Sequence, residues 1–349
     1  MNKDFEKRQA QVLDVLALLS KKAAAEKEAL VFIGGSAIQA AILSRPRRLS
    51  VDLDAFYAGD ASKLLAVLKP EYKVSPRPTK RTELFDFYNV VKDGVQVKVD
   101  VTRFPLVEKE APHEARRLGT KKFEALVATP DYLLASKLST LAIGTVGRDR
   151  GQQLDFLKDV FDSDCLLSEC GVSEKTLDYF GQICKAQNKI RETKFSAGEI
   201  IDSAVKALLE SALTDDSRAT IKKGDLGNFN EYYFGGALKK NDYWTMAYRL
   251  AAYLNAFKQP STGEMLGLIK AIEKTVNEKY AEKSFIENCE KELSGKGVDS
   301  KQLHELKIVA PKALAYFYAF YFPAKIAKKP AREGLVTTDT PGVYNPRHS

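Results

Sequence analysis

Apolar positions at the start of the chain first follow helical spacing and then form a continuous run. Residues 4–28 repeat Val and Leu at intervals of three and four among Lys and Glu, which predicts a helix. The apolar run ALVFI at 29–33 predicts a short buried strand. Helical spacing returns at 36–43 and ends before Pro46, which disfavours helix in the preceding residue. The pattern therefore predicts a helix, a strand, a glycine turn and a second helix.

Strand patterns dominate the next segment. The stretch SVDLDAFY at 50–57 alternates apolar and polar side chains, and a short helix is predicted near 60–69. Two runs rich in β-branched and aromatic residues follow, LFDFYNVV at 84–91 and VQVKVDVTRF at 95–104. Lys92-Asp93-Gly94 between them is a hairpin turn signal, because glycine accepts a positive φ. This part of the chain predicts a mixed sheet that contains an antiparallel pair.

Helical spacing takes over after Pro130. Residues 131–144 and 152–161 predict two helices, joined by the glycine-bearing TVGRDRG as an antiparallel helical hairpin. Almost every segment from 173 to 325 has helical periodicity. The predicted fold class is α+β, with an N-terminal mixed sheet and flanking helices followed by an all-helical C-terminal domain. We predict three parts, namely the sheet with the helical hairpin at 1–165, an all-helical domain at 166–325 and a basic flexible tail at 326–349.

The alternation RLSVDLD at 48–54 carries an unusual charge pattern for a strand. Successive side chains of a strand point to opposite faces, so Asp52 and Asp54 project together, about 7 Å apart. Like charges at this separation repel one another, and a divalent metal such as magnesium is the common solution. The alternative is a half-exposed edge strand with two solvated aspartates. The alternation predicts two faces, a polar one with Arg48, Ser50, Asp52 and Asp54 and a buried one with Leu49, Val51 and Leu53.

A third carboxylate lies in the middle of a later predicted strand. Asp100 in VKVDV stands between valines, where an acidic residue is poorly suited to sheet packing unless it has a role. The alternative role is a pairing with Lys98 on the same strand face. If the three carboxylates form one metal platform, Asp100 must lie within reach of Asp52 and Asp54.

The glycine turn before the second helix has the chemistry of a phosphate site. Gly34, Gly35 and Ser36 lie between a strand and a helix, which places backbone N–H groups and a helix N-terminus at the turn. Two glycines after a strand are also typical of a plain tight turn. Ser36 adds either an N-cap hydroxyl or a phosphate contact. The combination of GGS with SxDxD, about 16 residues later, is more specific than either piece.

The series GGSA, a helix, RxSxDLD and a third Asp on a later strand resembles the DNA polymerase-β-type nucleotidyltransferases, and more narrowly the AbiEii family, toxins of abortive-infection and toxin–antitoxin systems. That family also carries a helix with a lysine, a basic loop and a helix with D-x-x-D. Lys137 and Asp155 match the lysine and the last aspartate. Gln152 stands in place of the first aspartate, and Asp159 is interpreted as a residue of the helix surface. The resemblance covers about residues 29–162.

This resemblance implies transfer of a nucleoside monophosphate from an NTP to an acceptor hydroxyl, with pyrophosphate as the leaving group. It implies two Mg²⁺ ions, held by Asp52, Asp54 and Asp100, with Asp100 also as a candidate general base. Lys137 would neutralise phosphate charge, and Asp155 would orient Lys137 or the nucleotide. Arg48 either binds phosphate or balances the aspartates. The nucleotide-binding residues that the resemblance implies are Gly34, Gly35, Ser36, Arg48, Ser50 and Lys137.

Net charge bears on the identity of the acceptor. The chain of 349 residues has a formal charge of +8, which favours polyanionic partners. Basic patches at Lys189 and Arg191 and at Lys222 and Lys223 favour an RNA acceptor such as the 3′ end of tRNA. The aromatic run at 316–322 is interpreted as core rather than as a base-stacking platform. The alternatives are a small-molecule nucleotidyltransferase and a catalytically silent nucleic-acid-binding relative, and an antitoxin protein is a candidate partner.

Cysteine usage and the N-terminus bear on the compartment. The four cysteines form no CxxC pair and the chain has three histidines, so spacing predicts no zinc site but buried free thiols. The N-terminus is charged, and no run of about 18 apolar residues occurs. These features predict a cytoplasmic protein without a membrane segment.

Overall fold

The structure is a computed structural model of the chain, and it describes residues 3–78, 84–103, 112–118 and 122–327. A seven-stranded mixed sheet and its helices form the N-terminal part, and the remainder is helical, which confirms the predicted α+β class. The strands are β1 Leu30–Ile33, β2 Asp52–Tyr57, β3 Lys73–Arg77, β4 Phe85–Lys92, β5 Val95–Thr102, β6 His113–Leu118 and β7 Phe123–Ala128.

The helices of the N-terminal part surround the sheet, and those of the C-terminal part follow one another with short connections. The first five are α1 Lys3–Ala25, α2 Gly34–Ala37 with a π-helical continuation Ile38–Ile42, α3 Ala61–Leu65 with a 3₁₀ continuation Ala66–Leu68, α4 Pro130–Thr140 and α5 Gln153–Cys170. The others are α6 Glu174–Ile190, α7 Ala197–Ser211, α8 Lys223–Asn230, α9 Lys240–Ala256, α10 Thr262–Lys279, α11 Lys283–Ser294, α12 Ser300–Val309, α13 Pro311–Tyr321 and α14 Pro323–Ala327.

Strand β2 occupies the centre of the sheet, whose order is β3-β4-β5-β2-β1-β7-β6. It pairs in parallel with β5 and antiparallel with β1. The edge-strand alternative for the two aspartates of β2 is therefore wrong. Helix α1 packs on the sheet through fully buried Val15, Leu16 and Leu19, so apolar burial holds β2 and its neighbours in place.

The hairpin of β4 and β5 forms as predicted, with positive φ at Asp93 (50°) and Gly94 (73°) in its two-residue turn. Three strands were not predicted from the sequence. The edge strand β3 contains Pro76, and the edge strand β6 reads HEARRL, which lacks an apolar run. Strand β7 pairs in parallel with β1, although its sequence FEALVA suits a helix equally well.

Strand β2 begins at Asp52, two residues later than predicted. The preceding residues pair instead with a segment of the C-terminal part. The Leu49 N–H donates to the Tyr232 carbonyl oxygen at 2.7 Å, and the Phe234 N–H donates to the Arg47 carbonyl oxygen at 3.0 Å. Of the three apolar residues expected behind the strand, Leu49 and Leu53 are buried but Val51 is half-buried.

Helix α5 links the two parts of the fold, because it packs against α4 on one side and against α8 and α9 on another. The predicted domain boundary at residue 165 lies inside this helix. The division into domains stays a prediction. Of the predicted tail, residues 328–349 lie outside the described residues, whereas Ile326 is buried within α14.

Cys165, Cys184 and Cys289 are buried free thiols, as expected, but Cys170 is exposed. The aromatic run in α13 packs in the core, where Tyr316 is 1% exposed and the Phe317 ring stacks on Tyr248. Within the described residues, no helix is long and apolar enough to span a membrane.

Candidate active site

Three carboxylates lie side by side on the two central parallel strands. Asp54 and Asp100 are register partners of β2 and β5, and Asp52 pairs with Lys98. Register partners present their side chains to the same face, as do residues two apart on one strand. Asp52, Asp54 and Asp100 therefore share one face, and each is half-buried. The alternative pairing of Asp100 with Lys98 is not its ion pair, because Asp100 pairs with Arg77 of β3.

Negative charge is in excess at this face of the sheet. Burial and the charges of Asp100 and Asp52 raise the pKa of Asp54 to about 7, against a lowering effect of Lys137 and Arg148. Burial also raises the pKa of Asp100, although the guanidinium of Arg77 opposes the shift. A proton or a cation at Asp54 would relieve this repulsion.

The carboxylates offer oxygen donors for a metal ion, but that of Asp100 is already paired with Arg77. Among the described residues, no group of three or more His, Cys, Asp or Glu side chains is arranged to hold a metal. Asp100 is engaged by Arg77, whose guanidinium lies 5.1 Å from the Phe87 ring centroid. Asp52 and Asp54 make no ion pair with a described residue, and their hard oxygens suit a divalent cation. The residues present therefore fit a cation at Asp52 and Asp54.

The glycine turn packs directly against the carboxylates. Gly34 has a φ of 74°, and a Cβ there would overlap the Asp54 carboxylate. A Cβ at Gly35 would lie 2.6 Å from Nη2 of Arg48 and 3.2 Å from Oγ of Ser50. Only glycine at both positions allows this close approach of the backbone to the site.

Ser36 ties the turn to strand β2 rather than capping a helix. It is the third residue of α2, whose N-cap is Ile33, so the expected N-cap role of Ser36 is wrong. Its buried hydroxyl lies 2.9 Å from the Ser50 hydroxyl and bonds to the Asp52 carbonyl oxygen. The hydrogen bonds join the glycine turn to the start of the acidic strand.

Arg48 forms a buried ion pair with Asp162 of α5. Its Nε donates to Oδ1 at 2.8 Å and its Nη2 donates to Oδ2 at 2.6 Å, while the residue is 3% exposed. Gln39 donates to the same carboxylate at 3.0 Å and accepts from the backbone N–H of Arg48. Arg48 thus balances a carboxylate, but that carboxylate is Asp162 rather than Asp52 or Asp54.

Lys137 of α4 completes this cluster through two aspartates of α5. Its Nζ lies 2.6 Å from Asp159 and 3.0 Å from Asp162, and Arg148 also pairs with Asp159. Although burial acts in the opposite direction, Lys137 and Arg148 lower the pKa of Asp159 to about 2. Asp159 is fully buried, so its interpretation as a helix-surface residue is wrong. Asp159 and Asp162 therefore have the D-x-x-D spacing of the family motif, which was predicted from the sequence to lie at Gln152 and Asp155.

Asp155 lines the same cavity but makes different contacts. Its carboxylate pairs with Lys158 at 3.2 Å, and its side chain is 46% exposed. The carboxylates that contact Lys137 are Asp159 and Asp162. A role of Asp155 towards the nucleotide stays a prediction, since Asp155 borders the cavity without bonding to Lys137.

These residues enclose a polar cavity of about 100 Å³. Lys158 extends over the Tyr232 ring, 5.0 Å from its centroid, at one border of the cavity. Sequence reasoning missed four contributors to this site. Arg148 stands in the basic loop TVGRDRG, and Asp162 is three residues after Asp159, so spacing carried a signal for both; Lys158 and Tyr232 had none. The cavity is lined by Gly35, Arg48, Leu49, Ser50, Val51, Asp52, Asp54, Lys137, Arg148, Asp155, Lys158, Asp159 and Tyr232.

A glycine turn lies against the carboxylates of a mixed sheet, with a lysine from α4 and an arginine from the loop after it, which agrees with the nucleotidyltransferase resemblance of the sequence. The family model described as nucleotidyl transferase AbiEii toxin, type IV TA system, matches residues 17–240. The chain belongs to this AbiEii family of nucleotidyltransferase toxins, which confirms the resemblance and the enzyme class inferred from the sequence.

Two solved structures were also compared with the chain. The nucleotidyltransferase toxin MenT4 from Mycobacterium tuberculosis is 15% identical, with a TM-score of 0.39, over 74% of this chain and 87% of that chain. A CCA-adding enzyme in complex with CTP is 11% identical, with a TM-score of 0.28, over 89% of this chain and 78% of that chain. A comparison with curated proteins found no match.

Proposed function

We propose that this toxin transfers a nucleoside monophosphate from an NTP to a hydroxyl group of an RNA, such as the 3′ end of tRNA. The observation that carries the proposal is the group of three carboxylates beside a cavity bordered by Lys137, Arg148 and Lys158. Carboxylates hold the metal that phosphoryl transfer needs, and the cations match a polyphosphate.

The chain's own residues divide the work of binding. The Gly34–Gly35 turn would offer backbone N–H groups to a triphosphate beside Asp54, which packs against the Gly34 backbone. Arg148 and Lys158 border the cavity and supply positive charge to the phosphates. Lys137 is held between Asp159 and Asp162, so its ammonium stays at a defined position beside Asp54.

Metal binding falls to the acidic strand. Asp52 and Asp54 would hold Mg²⁺, and Asp100 would share a second ion once its pairing with Arg77 opens. Bound Mg²⁺ supplies charge neutralisation at the phosphoryl group and a lower pKa of the attacking hydroxyl. Asp100 would also accept the hydroxyl proton, and its raised pKa supports this role because it favours proton uptake.

The acceptor is assigned to RNA on the basis of charge. The chain carries +8, and Lys222 and Lys223 are exposed next to the start of α8. A small-molecule acceptor is the second candidate, since the cavity at the carboxylates is polar and small. Membership of a family of type IV toxin–antitoxin systems supports a cognate antitoxin as a partner.

Radiolabelled NTP tests the proposal directly. The protein is incubated with Mg²⁺, each labelled NTP in turn and either total tRNA or a panel of small hydroxyl acceptors, beside an Asp52→Ala control. We expect label in the RNA fraction with wild type only. Label in the small-molecule fraction alone would contradict the RNA assignment, and label of equal intensity in the control would contradict the proposed site.

A further inference from the structure

A second, larger cavity of about 660 Å³ adjoins the candidate active site. Both cavities are lined from the connection between α4 and α5 and from the first turns of α5. Asp155 and Lys158 face the candidate active site, whereas Gln152, Gln153 and Phe156 face the second cavity. Residues three apart on a helix have Cβ atoms about 5 to 6 Å apart, so the parts of α5 that line the two cavities lie side by side.

The lining of this second cavity has the chemistry of a nucleoside site. Ile143 and Ile221 offer apolar surface, and Gln152, Gln153 and Thr220 offer hydrogen-bond donors and acceptors. Nucleosides present the same combination, with flat faces and polar edges. The volume lies within the range of about 300 to 1,000 Å³ that small ligands occupy.

Among the charged side chains that line the second cavity, the carboxylates are paired, and an arginine has no ion-pair partner among the described residues. The carboxylates of the lining are each matched by a lysine, Asp202 by Lys258 and Glu210 by Lys206 at 3.8 Å. Exposed Arg150 of the lining has no carboxylate of a described residue within ion-pair distance.

Neither basic patch noted in the sequence lines this cavity, but each has a residue connected to the lining through a neighbour in the chain. Lys222 and Lys223 directly follow the lining residue Ile221, and both are exposed. Arg191 reaches to within 3.9 Å of Asp149, the neighbour of Arg150, and its Nε has no hydrogen-bond partner. Cations near a nucleoside-sized cavity, whose lining carboxylates are paired with lysines, are suited to a chain of phosphates that ends in that cavity.

We propose that this second cavity, the acceptor cavity, binds the 3′-terminal nucleoside of the RNA, while Arg150, Arg191 and Lys222 contact the phosphates that precede it. The proposal rests on the proposed function, because it names the place of the acceptor in that reaction. The terminal ribose then lies beside the first turn of α5, next to the carboxylates of β2.

Two substitutions and one control separate this site from its surroundings. Thr220→Trp fills the cavity from an exposed lining position, and Arg150→Glu reverses the charge of an exposed side chain. Lys175→Glu is the control, since Lys175 is an exposed lysine at the start of α6, about 24 Å along the helix from Arg191. Unfolding midpoints equal to wild type establish that each variant is folded.

Binding is measured without turnover, by fluorescence anisotropy with intact tRNA and with the same tRNA lacking its terminal nucleotides. We expect wild type to prefer the intact RNA by about fivefold or more, from stacking of the terminal base. Thr220→Trp abolishes that preference. Arg150→Glu weakens binding of both RNAs by about tenfold, whereas the control stays within about twofold of wild type. Affinity for a non-hydrolysable NTP analogue, measured by calorimetry, stays within about twofold for all three variants.

Two results would overturn the proposal. One is a wild type that binds intact and truncated RNA equally. The other is a Thr220→Trp variant that keeps its preference for the intact RNA but loses affinity for the NTP analogue, which would assign the cavity to the incoming nucleotide. A clear preference for the intact end without any transfer of label to RNA would leave the acceptor cavity standing and refute the proposed function instead.

Discussion

Helix α5 carries two ionic clusters that differ in their surroundings. Towards the sheet, Asp159 and Asp162 bind three cations, Arg48, Lys137 and Arg148. Towards the C-terminal helices, Asp164 pairs with Arg249 at 3.1 Å, and Arg249 also pairs with Glu273 at 3.2 Å. The first cluster has more cations than carboxylates, and the second has more carboxylates than cations.

The second cluster is hydrogen-bonded by its own neighbours, and it borders a separate cavity of about 550 Å³. The hydroxyls of Tyr253 and Tyr316 both donate to Glu273, and Ser168 bonds to Arg249 at 2.9 Å. The first cluster instead lies beside Asp54, whose charge no ion pair of a described residue balances. We infer that the cations beside Asp54 serve substrate binding, while the second cluster serves the packing of α5, α9 and α10.

The largest expected contrast is in activity. Asp54→Asn should lower the rate of label transfer by about 10³-fold or more, because it removes a carboxylate from the proposed metal site. Glu273→Gln, in the second cluster, should leave the rate per folded molecule within about twofold, since Glu273 lies outside the proposed active site. Initial rates, normalised to the folded fraction, measure both. Equal losses in the two variants would erase the distinction between the clusters.

The next contrast is in stability. Arg249→Met leaves the half-buried carboxylates of Asp164 and Glu273 without their cation, so it should lower the free energy of unfolding by about 3 kcal/mol. Lys137→Met should cost less, because Asp159 keeps Arg148 and Asp162 keeps Arg48. Urea denaturation measures the loss. Only Lys137→Met should also abolish transfer by the protein that remains folded. Transfer that survives in Lys137→Met would assign Lys137 a structural role alone.

The third prediction concerns how the stability of the metal-free protein depends on pH. The pKa of Asp54 is about 7 in the fold, above its ordinary value of 3.8, so the folded state holds a proton that the unfolded chain has lost. Wild-type stability should therefore fall as pH rises from about 4 to about 7, relative to Asp54→Asn, which does not titrate. At pH 8 the variant should be the more stable by about 1 to 3 kcal/mol. A difference that stays constant from pH 5 to pH 8, measured by urea denaturation, would contradict the excess of negative charge at this face.

The smallest effect concerns Tyr232, which the C-terminal part places beside Lys158. A cation over an aromatic ring is stabilised by about 0.5 to 1 kcal/mol. Tyr232→Ala removes the ring that holds Lys158 beside the cavity, so it should raise the KM for NTP by about two- to fivefold. Tyr232→Phe keeps the ring and is the matched control. Steady-state kinetics with saturating RNA measure the change. A KM that rises as much in Tyr232→Phe as in Tyr232→Ala would point to the hydroxyl instead.

Much of the fold was predicted correctly from local sequence patterns. Helix α1, strand β1 and the β4–β5 hairpin follow from apolar spacing and from the turn Asp93-Gly94. Strand β7 escaped prediction because its short sequence has no period that separates strand from helix, and its pairing with β1 decides the matter.

In the candidate site, too, some residues are predictable from the local sequence and others are not. Gly34, Asp52 and Asp54 lie on one short stretch, so their adjacency follows from chain connectivity and strand alternation. Asp155 and Asp159 lie one helical turn apart. From the sequence, Asp155 was expected to orient Lys137 or the nucleotide, whereas Asp159 is the one that contacts Lys137, because the direction each faces depends on how α5 packs on α4.

Helix α1, the acidic strand, the glycine turn and the family follow from the sequence alone, since each depends on residues close together in the chain. Only the tertiary structure decided that Asp100 stands in register with Asp54, that Arg48 turns to Asp162 and that Tyr232 borders the cavity. The physical reason is that strand register and helix packing result from burial across the whole fold, which brings together residues that are 40 to more than 180 positions apart.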